Sequence, residues 1–148
     1  MNFTTKYFDE LSNYELYAIL KLRSEVFVVE QNCAYQDLDN LDQNSLHVFG
    51  KHNNEIVAYT RILPPKLHYK EAAIGRVVTS KTVRMDGYGK EIMRFSIGLI
   101  KSKFNTAIRI MAQCYLTKFY EDFGFVVDGS EFLEDGIPHV EMVLEVKF

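Results

Sequence analysis

The stretch AAIGRVVTSKTVRMDGYGKEIMRFSIGLIKSKF, Ala72–Phe104, decides the fold. It opens on AAIGRVVT, a short apolar run that reads as a buried strand. It closes on GKEIMRFSIGLIKSKF, where Ile92, Phe95 and Leu99 share one face and Met93, Ile97 and Ile100 lie beside them. That spacing predicts a long amphipathic helix. Between the two sits SKTVRMDGYG, a turn with glycines at 87 and 89. Familiar phosphate loops do not match it. A P-loop ends in Gly-Lys-Ser/Thr with a glycine five residues earlier, whereas Gly89-Lys90 is followed by Glu91 and that earlier position is Arg84. A dinucleotide fingerprint wants a third small residue, and Ile92 stands there.

Working outward, AIRIMAQC is a second strand after the helix, which makes a strand–helix–strand crossover. LTKFYEDF follows, with Leu116, Phe119, Tyr120 and Phe123 on one helical stripe, and Gly124 is a natural stop. FGFVVDG and PHVEMVLEVKF supply the last strands. Upstream, HVFGKH and EIVAYTRIL form a hairpin turning at Asn53-Asn54, ended by Pro64-Pro65. QNCAYQDLDNLDQN reads as a polar loop. Before it, Ser12 or Asn13 caps a helix that runs through YELYAILKLRSEVF, with Glu15 in its first turn. The order is helix, hairpin, strand, turn, helix, strand, helix, strand, strand. It predicts an α/β or α+β sheet with helices on its faces.

Residues 1–148 fit one domain. The composition, 47% hydrophobic and 25% charged, is that of a soluble globular protein. A net charge of −3 without a basic stripe argues against nucleic acid. No apolar run approaches the roughly 20 residues needed to span a membrane, and MNFTTKYFDE lacks a signal pattern. The expected compartment is the cytoplasm. Cys33 and Cys114 form no CxxC pair and read as reduced, partly buried residues.

The turn has a chemical reading. The first turn of a helix carries unpaired N–H groups and a positive dipole end. Glycines at 87 and 89 let an anion reach them and permit the φ values of a concave nest. A pyrophosphate-like group would suit such a site. The plain alternative is a tight turn that starts a helix and binds nothing.

Arg84-x-x-Gly87-x-Gly89 resembles the Gln/Arg-x-x-Gly-x-Gly/Ala signature of the GNAT-type N-acetyltransferase superfamily, and FYEDFGF, Phe119 to Phe125, is similar to its second motif. LRSEVFVVEQNCAYQDLDNLD and EDGIPHVEM resemble the ElaA-like branch more closely. The resemblance implies a mixed, mostly antiparallel sheet of about six to seven strands with helices on both faces. It implies acetyl-CoA as co-substrate. The backbone of Gly87, Tyr88, Gly89 and Lys90 would hold its pyrophosphate, with Arg84 opening the loop. Val77, Val78 and Thr79 would pair edge-on with its pantetheine arm. Tyr120 would be the general acid that protonates the leaving thiolate. On spacing alone, Tyr120 is equally a core tyrosine on an apolar stripe.

The base is open. The strand position where many members carry a glutamate matches Ala73, with Glu71 two residues earlier on the same strand face. Glu30, His47 and His139 are candidates as base or acceptor-binding residues, each with a structural reading beside it, and a water relay is a further option. Asp37, Asp39 and Asp42, with Glu30 nearby, form an acidic cluster. Leu41 and Asp42 stand where a calcium loop needs Asx and Gly, so no metal is expected. The cluster is either a lure for a cationic amine or a solvated loop.

The expected function is direct acetyl transfer to a primary amine, on a small molecule or on a protein lysine or N-terminus. The competing expectation is a non-catalytic acetyl-CoA sensor that binds a partner protein. The chain is expected to be a monomer, or a homodimer through VEMVLEVKF.

Overall fold

A computed structural model describes residues 1–146. The last two residues of the expected final strand, 147 and 148, lie outside that range. Eight strands among the described residues form one mixed sheet. They are β1 (Phe3–Tyr7), β2 (Leu46–His52), β3 (Glu55–Leu63), β4 (Ala72–Thr79), β5 (Ile108–Gln113), β6 (Val126–Val127), β7 (Phe132–Glu134) and β8 (Ile137–Leu144). The spatial order is β1-β2-β3-β4-β5-β8-β6, with β7 also paired to β8. Only β4 and β5 are parallel neighbours; the other pairs are antiparallel. A parallel pair needs a crossover, and α2 (Tyr88–Lys103) provides it.

The count exceeds the expected six to seven because β1 and β7 are short. FTTKY has too few apolar residues to stand out, yet it pairs with β2 from Phe3↔Gly50 to Tyr7↔Leu46. β7 and β8 are joined at Asp135-Gly136, both at positive φ, as a two-residue hairpin turn requires. Asn53-Asn54 turns the β2–β3 hairpin in the same way, with φ of 52° and 65°.

α1 (Asn13–Arg23) begins at Ser12, whose side chain accepts from the Glu15 N–H while Glu15 reaches back to the Ser12 N–H. This capping box satisfies two orphan donors. The helical pattern continues past Arg23 as a π-helical segment, Ser24–Glu30. α3 (Thr117–Glu121) is short, preceded by a 3₁₀ turn and stopped at Gly124, φ 101°.

The two faces of the sheet differ. On one, α2 buries Ile92, Met93, Ile97 and Ile100 against Leu46, Val48, Ala58, Ile62, Ile74 and Ile110. Phe95, expected on the buried stripe, sits at its margin, 38% exposed and 5.4 Å from the Phe3 ring. On the other face, α1 brings Ile19 and Leu22 onto Phe49, Tyr59 and Val78. Beside that small apolar cluster lie Arg23, Asp42, His47 and Arg61, all buried.

Candidate active site

Two features make a cleft beside β4. First, β4 and β5 pair only at Ala72↔Ile108 and Ala73↔Arg109. Both strands continue beyond that point, β4 to Thr79 and β5 to Gln113, so they part and leave the facing backbone edges without each other. Second, the glycine turn lies where β4 delivers the chain into α2. Gly87 takes φ 80° as the N-cap and supplies no side chain to the cap. A Cβ there would be strained by that φ but would meet nothing within 4 Å. A Cβ on Gly89 would meet only Thr79 Cγ2, at 3.9 Å. The first-turn N–H groups of α2 therefore border open space, with Val77, Val78 and Thr79 leading up to them.

Arg84 is already engaged. Its guanidinium donates to Glu30 Oε1 at 2.8 Å, and also to the second carboxylate oxygen, and it reaches the Thr79 carbonyl at 3.3 Å. Glu30 is held below the ordinary carboxylate range, first by this hydrogen bond. The glycine turn is thus tied to the end of the π-helical segment. A carboxylate so held is a poor proton acceptor.

Tyr120 sits on α3 with 8% exposure, edge-on to Phe119 and Phe125 at 5.1 and 6.2 Å. Its hydroxyl makes no hydrogen bond among the described residues. Burial pushes its pKa up to about 12, with Tyr115 adding to the shift. The phenol keeps its proton at neutral pH, as a general acid must.

The two histidines fare differently. His47 is fully buried. Its Nε2 donates to the Asp42 carbonyl at 2.9 Å and its Nδ1 accepts from the Tyr59 hydroxyl at 2.7 Å. Burial lowers its pKa and keeps it neutral. With both nitrogens used, it serves the fold. His139 lies on β8 opposite Gln113, stacked on Phe132 at 6.1 Å. Its Nδ1 donates to the Ile137 carbonyl at 2.7 Å, and its Nε2 makes no hydrogen bond among the described residues. Glu71 lies just before β4 rather than within it, and its carboxylate accepts from Arg109 at 2.9 Å.

The acidic cluster is neither a lure nor a solvated loop. Arg23 Nε reaches Asp37 at 2.9 Å and its Nη1 reaches Asp42 at 2.9 Å. Arg61 grips Asp39 with two bonds of 2.8 and 2.9 Å and also reaches Asp42 at 3.0 Å. Arg76 pairs with Asp37 at 2.7 Å and Asp39 at 3.3 Å. Three arginines from α1, β3 and β4 neutralise three aspartates from one loop. Burial pulls the Asp39 carboxyl up, but Arg61, the Leu41 N–H and Arg76 together outweigh it and hold it at about 2. Sequence reading missed these arginines as site residues. Their signal was a lone cation in each of two otherwise apolar strands, VAYTRIL and IGRVV.

Arg76 is also strained. Tyr59 pairs with Val78 and Arg61 with Gly75, so Arg76 and Val77 together face Thr60 in a β-bulge. Arg76 there takes φ 50°. Left-handed backbone suits Gly and Asn but costs other residues about 1–3 kcal/mol.

Two shallow hollows of about 270 and 410 Å³ lie between α3 and β6, away from the glycine turn. Neither touches β4, and they are not assigned to the site. Among the described residues no three His, Cys, Asp or Glu side chains are placed to hold a metal ion. No helix among them is long and apolar enough to cross a membrane.

This fold and cleft define an acyltransferase class. Residues 10–146 match the acetyltransferase (GNAT) domain family. The chain belongs to that family and, within it, to the ElaA-like branch. It is 41% identical over 140 residues to Protein ElaA of Escherichia coli, covering 93% of this chain and 92% of that one. The crystal structure of E. coli ElaA superposes with a TM-score of 0.91 at 37% identity, over 97% and 99% of the two chains. An acyl-CoA N-acyltransferase from Pseudomonas aeruginosa superposes at 0.92 with 38% identity, over 96% and 97%.

Proposed function

We propose that the chain is an acetyl-CoA-dependent N-acetyltransferase that moves the acetyl group directly to a primary amine. The observation that carries this reading is the open glycine turn at the start of α2, set beside two parting strands. The N–H groups of Tyr88, Gly89 and Lys90 would take the pyrophosphate. The free edge of Val77, Val78 and Thr79 would take the pantetheine amides as an added strand.

In the transfer, the amine lone pair attacks the thioester carbonyl carbon. The C–N bond forms and the C–S bond breaks. The CoA thiolate leaves and takes the Tyr120 proton, and the nitrogen gives up a proton to a base. Of the candidates, Glu30 is bound to Arg84 and His47 is sealed, which leaves His139 Nε2 or water. An acyl-enzyme is disfavoured at Cys114, because burial and Glu131 push its thiol pKa up. The acceptor is a small amine or a protein amine, and the compartment is the cytoplasm. A second reading, an acetyl-CoA sensor without turnover, gains from the engagement of two of the three base candidates.

Calorimetry with acetyl-CoA tests the site. Wild type is expected to bind at micromolar concentration, and Gly87→Glu with Gly89→Glu to lose binding while remaining folded. Absence of wild-type binding sinks the acyl-CoA reading. CoA release across a panel of amines then separates enzyme from sensor: Tyr120→Phe should slow turnover about 10²–10⁴-fold with affinity unchanged.

A further inference from the structure

Arg76 is the one non-glycine residue with positive φ inside a strand among the described residues. Most of the others with this backbone are asparagines in loops and turns. An arginine stays there only if its surroundings fix it. Its surroundings do. Its Nη2 donates to the Asp37 carbonyl at 2.8 Å, and its Nε sits 2.7 Å from Asp37 Oδ1, off the hydrogen-bond direction. The Tyr35 ring lies 5.8 Å from the guanidinium, and its hydroxyl donates to the same Asp37. Asp37 is anchored in turn by the fully buried Arg23, and Asp39 by Arg61. The bulge is thus clamped from α1 and β3 through two aspartates.

The clamp is placed where it matters. The bulge, at Arg76 and Val77, lies three residues beyond Ala73, the last β4 residue paired with β5, on the stretch of β4 that borders the opened cleft. A Cβ built on the adjacent Gly75 would meet nothing within 4 Å. Bulges re-aim the backbone, so the conformation of Arg76 sets the direction of the peptide groups that line this part of the cleft.

We infer that Arg76 is a positioning residue. Its ion pairs with Asp37 and Asp39 hold the bulge so that β4 peptide groups meet the acyl end of the thioester rather than the CoA body. This inference rests on the acyl-CoA reading above. It assigns the acidic loop a role in the chemistry without contact with substrate.

The test uses the full chain and compares two ligands, CoA and acetyl-CoA, by calorimetry. The variants are Arg76→Gly, which removes the clamp and the backbone strain together, and Arg76→Lys, which keeps the charge. In Arg76→Gly, CoA affinity should stay within twofold of wild type. Acetyl-CoA affinity, and turnover with any amine that supports it, should fall at least tenfold. Arg76→Lys should recover part of that loss. Equal affinities for both ligands in Arg76→Gly and wild type, with only the melting temperature changed, overturn the positioning role. So does an equal loss of both ligands. Wild-type protein that binds neither ligand overturns the acyl-CoA reading first, and this inference with it. If Arg76→Gly fails to fold, Asp37→Asn makes the same comparison from the loop side.

Discussion

On the α2 face of the sheet, Leu46, Val48, Ala58, Ile62 and Ile74 meet Ile92, Met93 and Ile100 in continuous apolar contact. On the α1 face the same strands present His47, Arg61 and Arg76 to an aspartate loop. The first face resembles any domain core and gains from burial at roughly 25 cal/mol per Å². The second holds charges out of water, where desolvation offsets much of the attraction. It is a costly way to stabilise a fold. What it does well is fix geometry: each guanidinium demands particular directions, and an off-axis aspartate is a lost bond. The apolar face holds the sheet together, and the ionic face holds one strand in a shape it would not otherwise keep.

Breaking the ionic face should have the larger effect. Arg23→Met leaves Asp37 and Asp42 each without a principal partner in a buried setting. It is expected to lower the unfolding free energy by about 3–5 kcal/mol, read from urea melts. A loss under about 1 kcal/mol, no more than an exposed pair contributes, would mean that the network is open to water in solution.

Acid should separate the faces. Asp39 and Asp42 are held below the ordinary carboxylate pKa by Arg61 and Arg23 against the pull of burial. Groups lowered in the folded state stabilise fully above the unfolded value of about 3.9. That contribution is lost as pH falls through the folded value, about 2 for Asp39. Neutral His47, lowered by burial, loses stability in the same direction below its unfolded value of about 6.5. Melting temperature is expected to fall between pH 6 and pH 2, most steeply below pH 4. Arg61→Met should flatten the acid limb. An unchanged limb would put the acid sensitivity elsewhere.

The α2 face carries a buried polar tie, a 2.7 Å hydrogen bond between the hydroxyls of Thr60 and Ser96. Ser96→Ala should cost about 1–3 kcal/mol because it strands Thr60. Adding Thr60→Val should recover most of that, and failure to recover would show that the pair is strongly favourable in itself. The smallest effect is expected at Ile92, fully buried under the sheet. Ile92→Val should cost about 0.5–1.5 kcal/mol, with acetyl-CoA binding unchanged.

The same contrast explains what the sequence made legible. Strand, turn and helix over Ala72–Phe104 were readable because apolar period and glycine placement are local signals. Asn53-Asn54 and Gly124 were readable for the same reason. The aspartate loop was not. Asp39 finds its arginines 22 and 37 residues away, and a run of Asx looks alike whether it meets water or guanidinium. β1 was missed because FTTKY is short and mostly polar. Glu30 reads from sequence as a candidate base, and nothing in its neighbours announces Arg84, 54 residues on.

β8 carries a consequence for how the chain is made. It is the last of the described strands in sequence, yet it lies between β5 and β6. During synthesis β1 to β4 can assemble from neighbours as they emerge. β5 cannot complete its outer edge until Ile137–Leu144 has left the ribosome. Until then Ile108–Gln113 is an unpaired strand edge, the kind of surface that recruits other chains. A ribosome stalled before residue 137 would hold a half-built sheet with its most adhesive edge outward, and chaperone protection should be needed most in that interval.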